Sequence, residues 1–226
     1  MGQRAVVVGA TGLVGGHLVR EILADPHYAS CLAIVRRPLA FEHSKLEVRV
    51  VDFGKLEAEA FEAHDAFSAL GTTIKQAGSK EAFKRVDCDY VVAFAGAAKR
   101  SCSTFVHVSA LGADARSSVF YNRVKGEAEA ALEALGFGTC VAMRPSLLEG
   151  EREVSRLGEA VGSIFLGALG ALPFAAARRI RPIQGADVAR AMVALAKEAR
   201  PGARVVLSDE IHRIADTSRN GVAKGG

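Results

Sequence analysis

The chain has 226 residues, 50% hydrophobic and 24% charged, which excludes a disordered polymer and supplies enough apolar side chains for one sizeable core. Its 29 basic and 25 acidic residues leave a net charge of +4 that is spread rather than bunched, and only 6% of residues are aromatic. Nucleic-acid partners are therefore not expected, and small anionic ligands suit the charge better. Arg4–Val8 reads as a short Val-rich strand, followed by a helix over Gly12–Leu23 that Pro26 closes. Cys31–Val35, Glu47–Val51 and Ala66–Leu70 read as further strands, ended by Arg36-Arg37-Pro38, by Asp52 and by Gly71. From Ser79 to about Ala98, Phe83, Val86, Tyr90, Val91, Phe94 and Ala97 recur at helical spacing. Thr104–Val108 is a fifth strand, Val119–Leu135 a helix with Gly136 as its left-handed cap, and Thr139–Met143 a sixth strand. A helix over Asp187–Lys197 precedes a last short strand, Arg204–Leu207.

Strands that alternate with helices and read as continuous apolar runs predict an α/β fold, a doubly wound parallel sheet in a single domain. That domain is expected over residues 1–209, with a small substrate-side segment at about 145–185 and a mobile polar tail over 210–226. The four cysteines, Cys31, Cys88, Cys102 and Cys140, form no CxxC pair, and the six histidines are scattered, so no metal site and no disulfide framework are expected. His107, between Val106 and Val108, reads as a neutral histidine in or beside the core. No leader pattern precedes the first apolar run at Ala5, so the expected location is cytoplasmic. Residues 160–177 carry no charge but are broken by Gly162, Gly167, Gly170 and Pro173. They read as a buried or pocket-lining segment rather than a membrane span, with peripheral membrane contact or a homodimer contact as alternatives.

Chemistry begins at Gly9-Ala10-Thr11-Gly12-Leu13-Val14-Gly15, glycines three apart between a first strand and a first helix. Glycine allows the tight turn and a close backbone approach to a pyrophosphate, and the helix start offers free N–H groups. This predicts a dinucleotide site. An NAD site usually carries an acidic residue at the end of the second strand; here Arg36 and Arg37 stand there, and two guanidinium groups suit the 2′-phosphate of NADP. Asp52, which ends the third strand and precedes Phe53, reads either as an acceptor for the adenine amino group or as a plain turn aspartate. Tyr121 and Lys125 are four apart on one helix face, so the lysine is expected to lower the phenol's pKa and fit it for acid–base work. Ser109, at a strand's carboxyl end, is expected to hydrogen-bond a substrate carbonyl.

The glycine turn, Ser109 and Tyr121-x-x-x-Lys125 together resemble the short-chain dehydrogenase/reductase superfamily. Ala69-Leu70-Gly71-Thr72-Thr73, the stretch Val108 to Asp114, Tyr121 to Glu127 and Arg144-Pro145-Ser146-Leu147-Leu148 look more narrowly like its atypical branch, that of Tat-interacting oxidoreductase-like proteins. The resemblance covers about residues 4 to 208. It implies that Tyr121 exchanges a proton with a carbonyl or alcohol substrate while the nicotinamide exchanges hydride; with Arg36 and Arg37 at the second strand's end, NADPH is expected in preference to NADH. It also implies that Lys125 holds the nicotinamide ribose, that Leu70, Gly71 and Thr72 line the cofactor, and that Arg144 and Pro145 lie near the nicotinamide. The family's tetrad asparagine has no counterpart at an assignable position. An NADPH-binding regulatory or interaction protein with little turnover stands as the alternative.

Overall fold

A computed structural model describes residues 2–149 and 181–222. The apolar run 160–177, the charges after Glu149 and most of the expected substrate-side segment lie outside the described residues.

β1 (Gln3–Val8) ends in four buried residues, Ala5 to Val8, and β-branched valines suit a strand covered on both faces. α1 (Leu13–Ala24) starts from Gly12 and buries Val14, Leu18 and Ile22, one stripe at i, i+4 spacing. β2 (Tyr28–Val35), β3 (Leu46–Val50) and β4 (Asp65–Ser68) follow, then the short helices α2 (Ile74–Ala77) and α3 (Lys80–Lys84). A π-helical turn over Arg85–Asp89 joins α3 to α4 (Tyr90–Ala98), so the helix expected from Ser79 onward is continuous but interrupted in its hydrogen-bond ladder. β5 (Thr104–Val108), α5 (Phe120–Ala134), β6 (Thr139–Arg144), the short pair β7 (Leu148–Glu149) and β8 (Ile183–Gln184), α6 (Gly185–Glu198), β9 (Gly202–Leu207) and α7 (Ser208–Val222) complete the order. Gly136, just past α5, has φ +66°, the left-handed cap its position predicts.

All pairings in the main sheet are parallel, in the order β3-β2-β1-β4-β5-β6-β9. The fold is thus the doubly wound α/β sheet expected. The chain winds outward from β1 to β3, then returns to β4 on the other side, and the strand order reverses between β1 and β4. Ligands of such sheets bind in the crevice outside the carboxyl ends of the strands at that reversal. Alternation along the strands divides the core. Val7, Phe67, Val106 and Val141 face α1 and α6, while Val6, Val8, Ala66 and Phe105 face α4 and α5.

Two expectations need correction. β3 is not a doubly covered strand but an edge, with Val48 and Val50 exposed. The polar tail is not loose over its first part. Residues 208–222 form α7, which buries Ile211 and Ala215 and bonds Arg219 to Asp187 of α6 at 2.6 Å. Its apolar stripe is only about one residue per turn, too thin to raise the local apolar content, yet enough to dock a helix with Asp209 and Glu210 at its positive end.

Candidate functional site

The turn after β1 folds as its glycines require. Gly9 has φ +83°, and a Cβ there would lie 2.4 Å from the Ala69 carbonyl carbon, so the turn presses against the end of β4. A Cβ on Gly15 would lie 2.0 Å from the Gly9 oxygen, so α1 packs against the turn with no room for a side chain. Gly12 differs: a Cβ there would meet the Gly9 oxygen at 3.3 Å and the Ala69 oxygen at 3.9 Å, leaving one side of the turn open toward the crevice. Gly12 caps α1 without a side-chain bond, so first-turn amides remain available to an anion. These are the three tasks a pyrophosphate cradle asks of its glycines: a tight turn, close backbone approach and helix–strand packing. A dinucleotide therefore fits here. Gly9, Gly12, Leu13 and Val14 form the turn and the helix start, and Thr11 is exposed beside them.

Toward the edge of the sheet, the Arg36 guanidinium lies 5.8 Å from the centre of the Phe53 ring, a cation–π contact that brings the ends of β2 and β3 together. Arg36 and Arg37 are both exposed. Asp52 accepts the Gly54 amide at 2.9 Å and so caps its own turn with one oxygen. At the end of β4, Ala69 donates its amide to Val8, and Leu70, Gly71 and Thr72 continue into the crevice.

The second half of the site lies along α5. Tyr121, Lys125 and Glu129 follow one another at i, i+4 spacing on one face, and each meets a different neighbour. The Tyr121 ring packs 5.4 Å from Phe83. Lys125 Nζ lies 2.7 Å from Asp87 Oδ1, with both side chains almost wholly buried. The other Asp87 oxygen accepts the Thr72 amide at 2.9 Å. Glu129 receives Arg144 through Nε at 2.9 Å and Nη2 at 2.5 Å, and the Ser109 hydroxyl as well.

These contacts revise two expectations. Ser109 is 5% exposed and donates its proton to Glu129, so its hydroxyl is tied to α5 beside Arg144 rather than presented next to Tyr121. Arg144 reaches the same carboxylate, and Pro145 behind it is buried. The acidity of Tyr121 moves the other way from the one its spacing suggests. Burial raises its pKa above the ordinary value; Lys125 pulls it down but does not outweigh burial, and Asp87 adds a smaller rise. Burial works against the charge on Lys125, but Asp87, Tyr121 and Glu129 outweigh it and hold that pKa above its ordinary value. Sequence reasoning missed Asp87 and Glu129. Asp87 carried a signal: it falls on the Phe83–Val91 stripe, and a carboxylate on an apolar stripe needs a buried partner.

His107 behaves as expected, a neutral core histidine whose pKa burial lowers to about 3, helped by Lys125 and Arg144. Its unfolded value near 6.5 lies above the folded one, so the fold is fully supported above about pH 6.5 and loses support as pH falls toward 3. At about pH 4.5 the expected loss is about 2–3 kcal/mol. Urea unfolding at the two pH values should show a smaller decline for His107→Gln than for the wild type. Equal declines would refute a neutral His107 as the source.

A reversal-point crevice with a glycine cradle on one side and a tyrosine–lysine helix on the other defines a dinucleotide-binding protein of the Rossmann class. A profile described as NAD(P)H-binding matches residues 9–162. HTATIP2 of Rattus norvegicus is 42% identical over 170 residues, covering 72% of this chain and 70% of that one. An Eremothecium gossypii protein named FMP52, mitochondrial, is 37% identical over 215 residues, covering 92% and 96%. The chain belongs to this NAD(P)H-binding family of HTATIP2 and FMP52, the atypical short-chain dehydrogenase/reductase branch that its motifs resemble. The human epimerase family protein SDR39U1, solved with NADPH, superposes with a TM-score of 0.63 at 17% identity over 90% of this chain and 73% of that one, a likeness of fold.

The expected cytoplasmic location is corrected by the same relatives. FMP52 proteins of several fungi are named mitochondrial, which points away from a purely cytoplasmic place. Among the described residues no helix is long and apolar enough to cross a membrane.

Proposed function

We propose that the protein is an NADPH-dependent oxidoreductase that reduces a carbonyl of a small, partly apolar substrate, with Tyr121 as the proton donor. The observation that carries this reading is the placing of Tyr121 and Lys125 on one face of α5, with Lys125 joined through Asp87 to the loop that leads from β4 into the crevice. When bound, the reduced nicotinamide supplies hydride to a carbonyl carbon. Arg36 and Arg37 would hold the 2′-phosphate, the glycine turn the pyrophosphate, and Leu70, Gly71 and Thr72 the face of the cofactor. A phenol with a raised pKa is protonated at neutral pH, so Tyr121 starts as an acid. That state suits reduction, in which the carbonyl oxygen must gain a proton as its carbon gains hydride. The nearby Lys125 ammonium then stabilises the phenolate left behind.

Turnover of NADPH with a panel of aldehydes and ketones tests this. Tyr121→Phe should lower kcat about a hundred- to ten-thousand-fold and leave NADPH affinity unchanged. Undiminished turnover would remove Tyr121 from the chemistry. The paired change Arg36→Ala with Arg37→Ala should weaken NADPH about 10- to 100-fold more than NADH. Equal losses for both would refute the 2′-phosphate role.

A second reading, a nucleotide-sensing interaction module with little turnover, draws on one observation. The Ser109 hydroxyl is committed to Glu129, which deprives a substrate carbonyl of the donor expected beside Tyr121. Tight NADPH binding, no turnover across the panel and a partner pulldown sensitive to NADPH would favour it.

A further inference from the structure

We propose that Asp87 is a positioning residue of this site: it clamps the Lys125 ammonium to the loop after β4, and so holds the helix that bears Tyr121 against the loop that faces the cofactor. The inference rests on the roles given above to Tyr121 and Lys125.

Asp87 sits in the π turn between α3 and α4, and its side chain is 1% exposed. A carboxylate so buried needs both oxygens satisfied. One lies 2.7 Å from Lys125 Nζ and the other accepts the Thr72 amide at 2.9 Å. The extra residue in a π turn breaks the regular ladder and re-aims the side chains around it, a device frequent at functional sites. Here it turns a carboxylate out of the stripe shared by Phe83 and Val91 and toward two other elements at once. A single side chain thereby sets the cofactor-facing loop against the helix that bears the acid.

The same placing governs charge. Tyr121 is acted on by Lys125 from its own helix and by Asp87 from the π turn. Lys125 is acted on by Asp87, Tyr121 and Glu129, and His107 on β5 is neutral at physiological pH. Burial is the largest influence on Tyr121 and holds its proton, and Asp87 adds to that hold against the pull of Lys125. Tyr121 Oη would give its proton to the carbonyl oxygen as the carbon gains the hydride that a bound reduced nicotinamide would supply, and the phenolate would recover a proton from water.

Ultraviolet titration of the whole chain tests this without requiring turnover. Subtracting the Tyr121→Phe spectrum isolates one phenol among the three tyrosines. The wild-type difference should titrate above the ordinary value of 10.0. Asp87→Asn should lower that midpoint by about 1–2 pH units, and Asp87→Glu, which keeps the charge, should restore it. A wild-type midpoint below 10, or an unmoved midpoint in Asp87→Asn, overturns the proposal. If Asp87→Asn fails to fold alone, the titration is made in Lys125→Met and in Lys125→Met with Asp87→Asn, where the second change should lower the Tyr121 midpoint and an unmoved one overturns the proposal. A shift as expected in a chain with no turnover upholds the clamp and removes the reductase reading. Turnover lost in Tyr121→Phe with no shift in Asp87→Asn does the reverse.

Discussion

Lys125→Met is expected to weaken the fold by about 3–5 kcal/mol, read by urea unfolding at neutral pH. Methionine is close to lysine in length and is unbranched, so packing along α5 changes little. What is lost is the only ammonium against the Asp87 carboxylate among the described residues, and that carboxylate cannot turn to water because its side chain is 1% exposed. A pair at the surface gives the opposite forecast. Arg4 and Glu62 lie 3.0 Å apart with side chains 48% and 80% exposed, and breaking them should change stability by at most about 1 kcal/mol. The contrast isolates desolvation as the reason. Adding Asp87→Asn to Lys125→Met should recover most of the loss, since the amide still accepts the Thr72 N–H and carries no charge. The two substitutions should therefore depart from additivity by about 2 kcal/mol or more. A loss below about 1 kcal/mol for Lys125→Met would mean that water reaches the pair.

How far the sequence could be read follows from what each feature needed. The glycine turn and the strand–helix alternation are local: Val-rich runs, a turn that tolerates φ +83° and an i, i+4 stripe suffice to place β1, α1 and the sheet around them. Tyr121 and Lys125 were visible for the same reason, being one turn apart in one helix. Asp87 and Glu129 were not, because their roles come from partners 38 residues (Lys125) and 15 and 20 residues (Arg144 and Ser109) away in the chain. Ser109 was placed at the right strand end, but no spacing says whether a hydroxyl at that end faces a crevice or a helix. The Tyr121 pKa went astray because spacing shows the neighbouring cation but not the depth of burial, which raises the phenol more than Lys125 lowers it. Residues 208–222 were misread because two buried residues, Ile211 and Ala215, carry the docking of a helix that is otherwise polar.

The glycines of the turn after β1 should separate folding from binding. Gly15→Ala is expected to destabilise the protein by about 3 kcal/mol or more, since its Cβ would lie 2.0 Å from the Gly9 oxygen and only movement of α1 or of the turn relieves that contact. Gly12→Ala meets the same oxygen at 3.3 Å, which a few tenths of an ångström relieve, and alanine is a poorer N-cap than glycine, so stability should fall by only about 1 kcal/mol. Its methyl group nevertheless occupies the open side of the turn, where the backbone must approach the pyrophosphate. NADPH affinity should accordingly fall about 100-fold or more in Gly12→Ala while its thermal midpoint stays near that of the wild type. Calorimetric titration with NADPH beside thermal unfolding measures both. A Gly12→Ala protein that binds NADPH as the wild type does would move the pyrophosphate away from this turn. Tight binding by a destabilised Gly15→Ala would still be consistent with it, because that methyl group points into the protein and not toward the ligand.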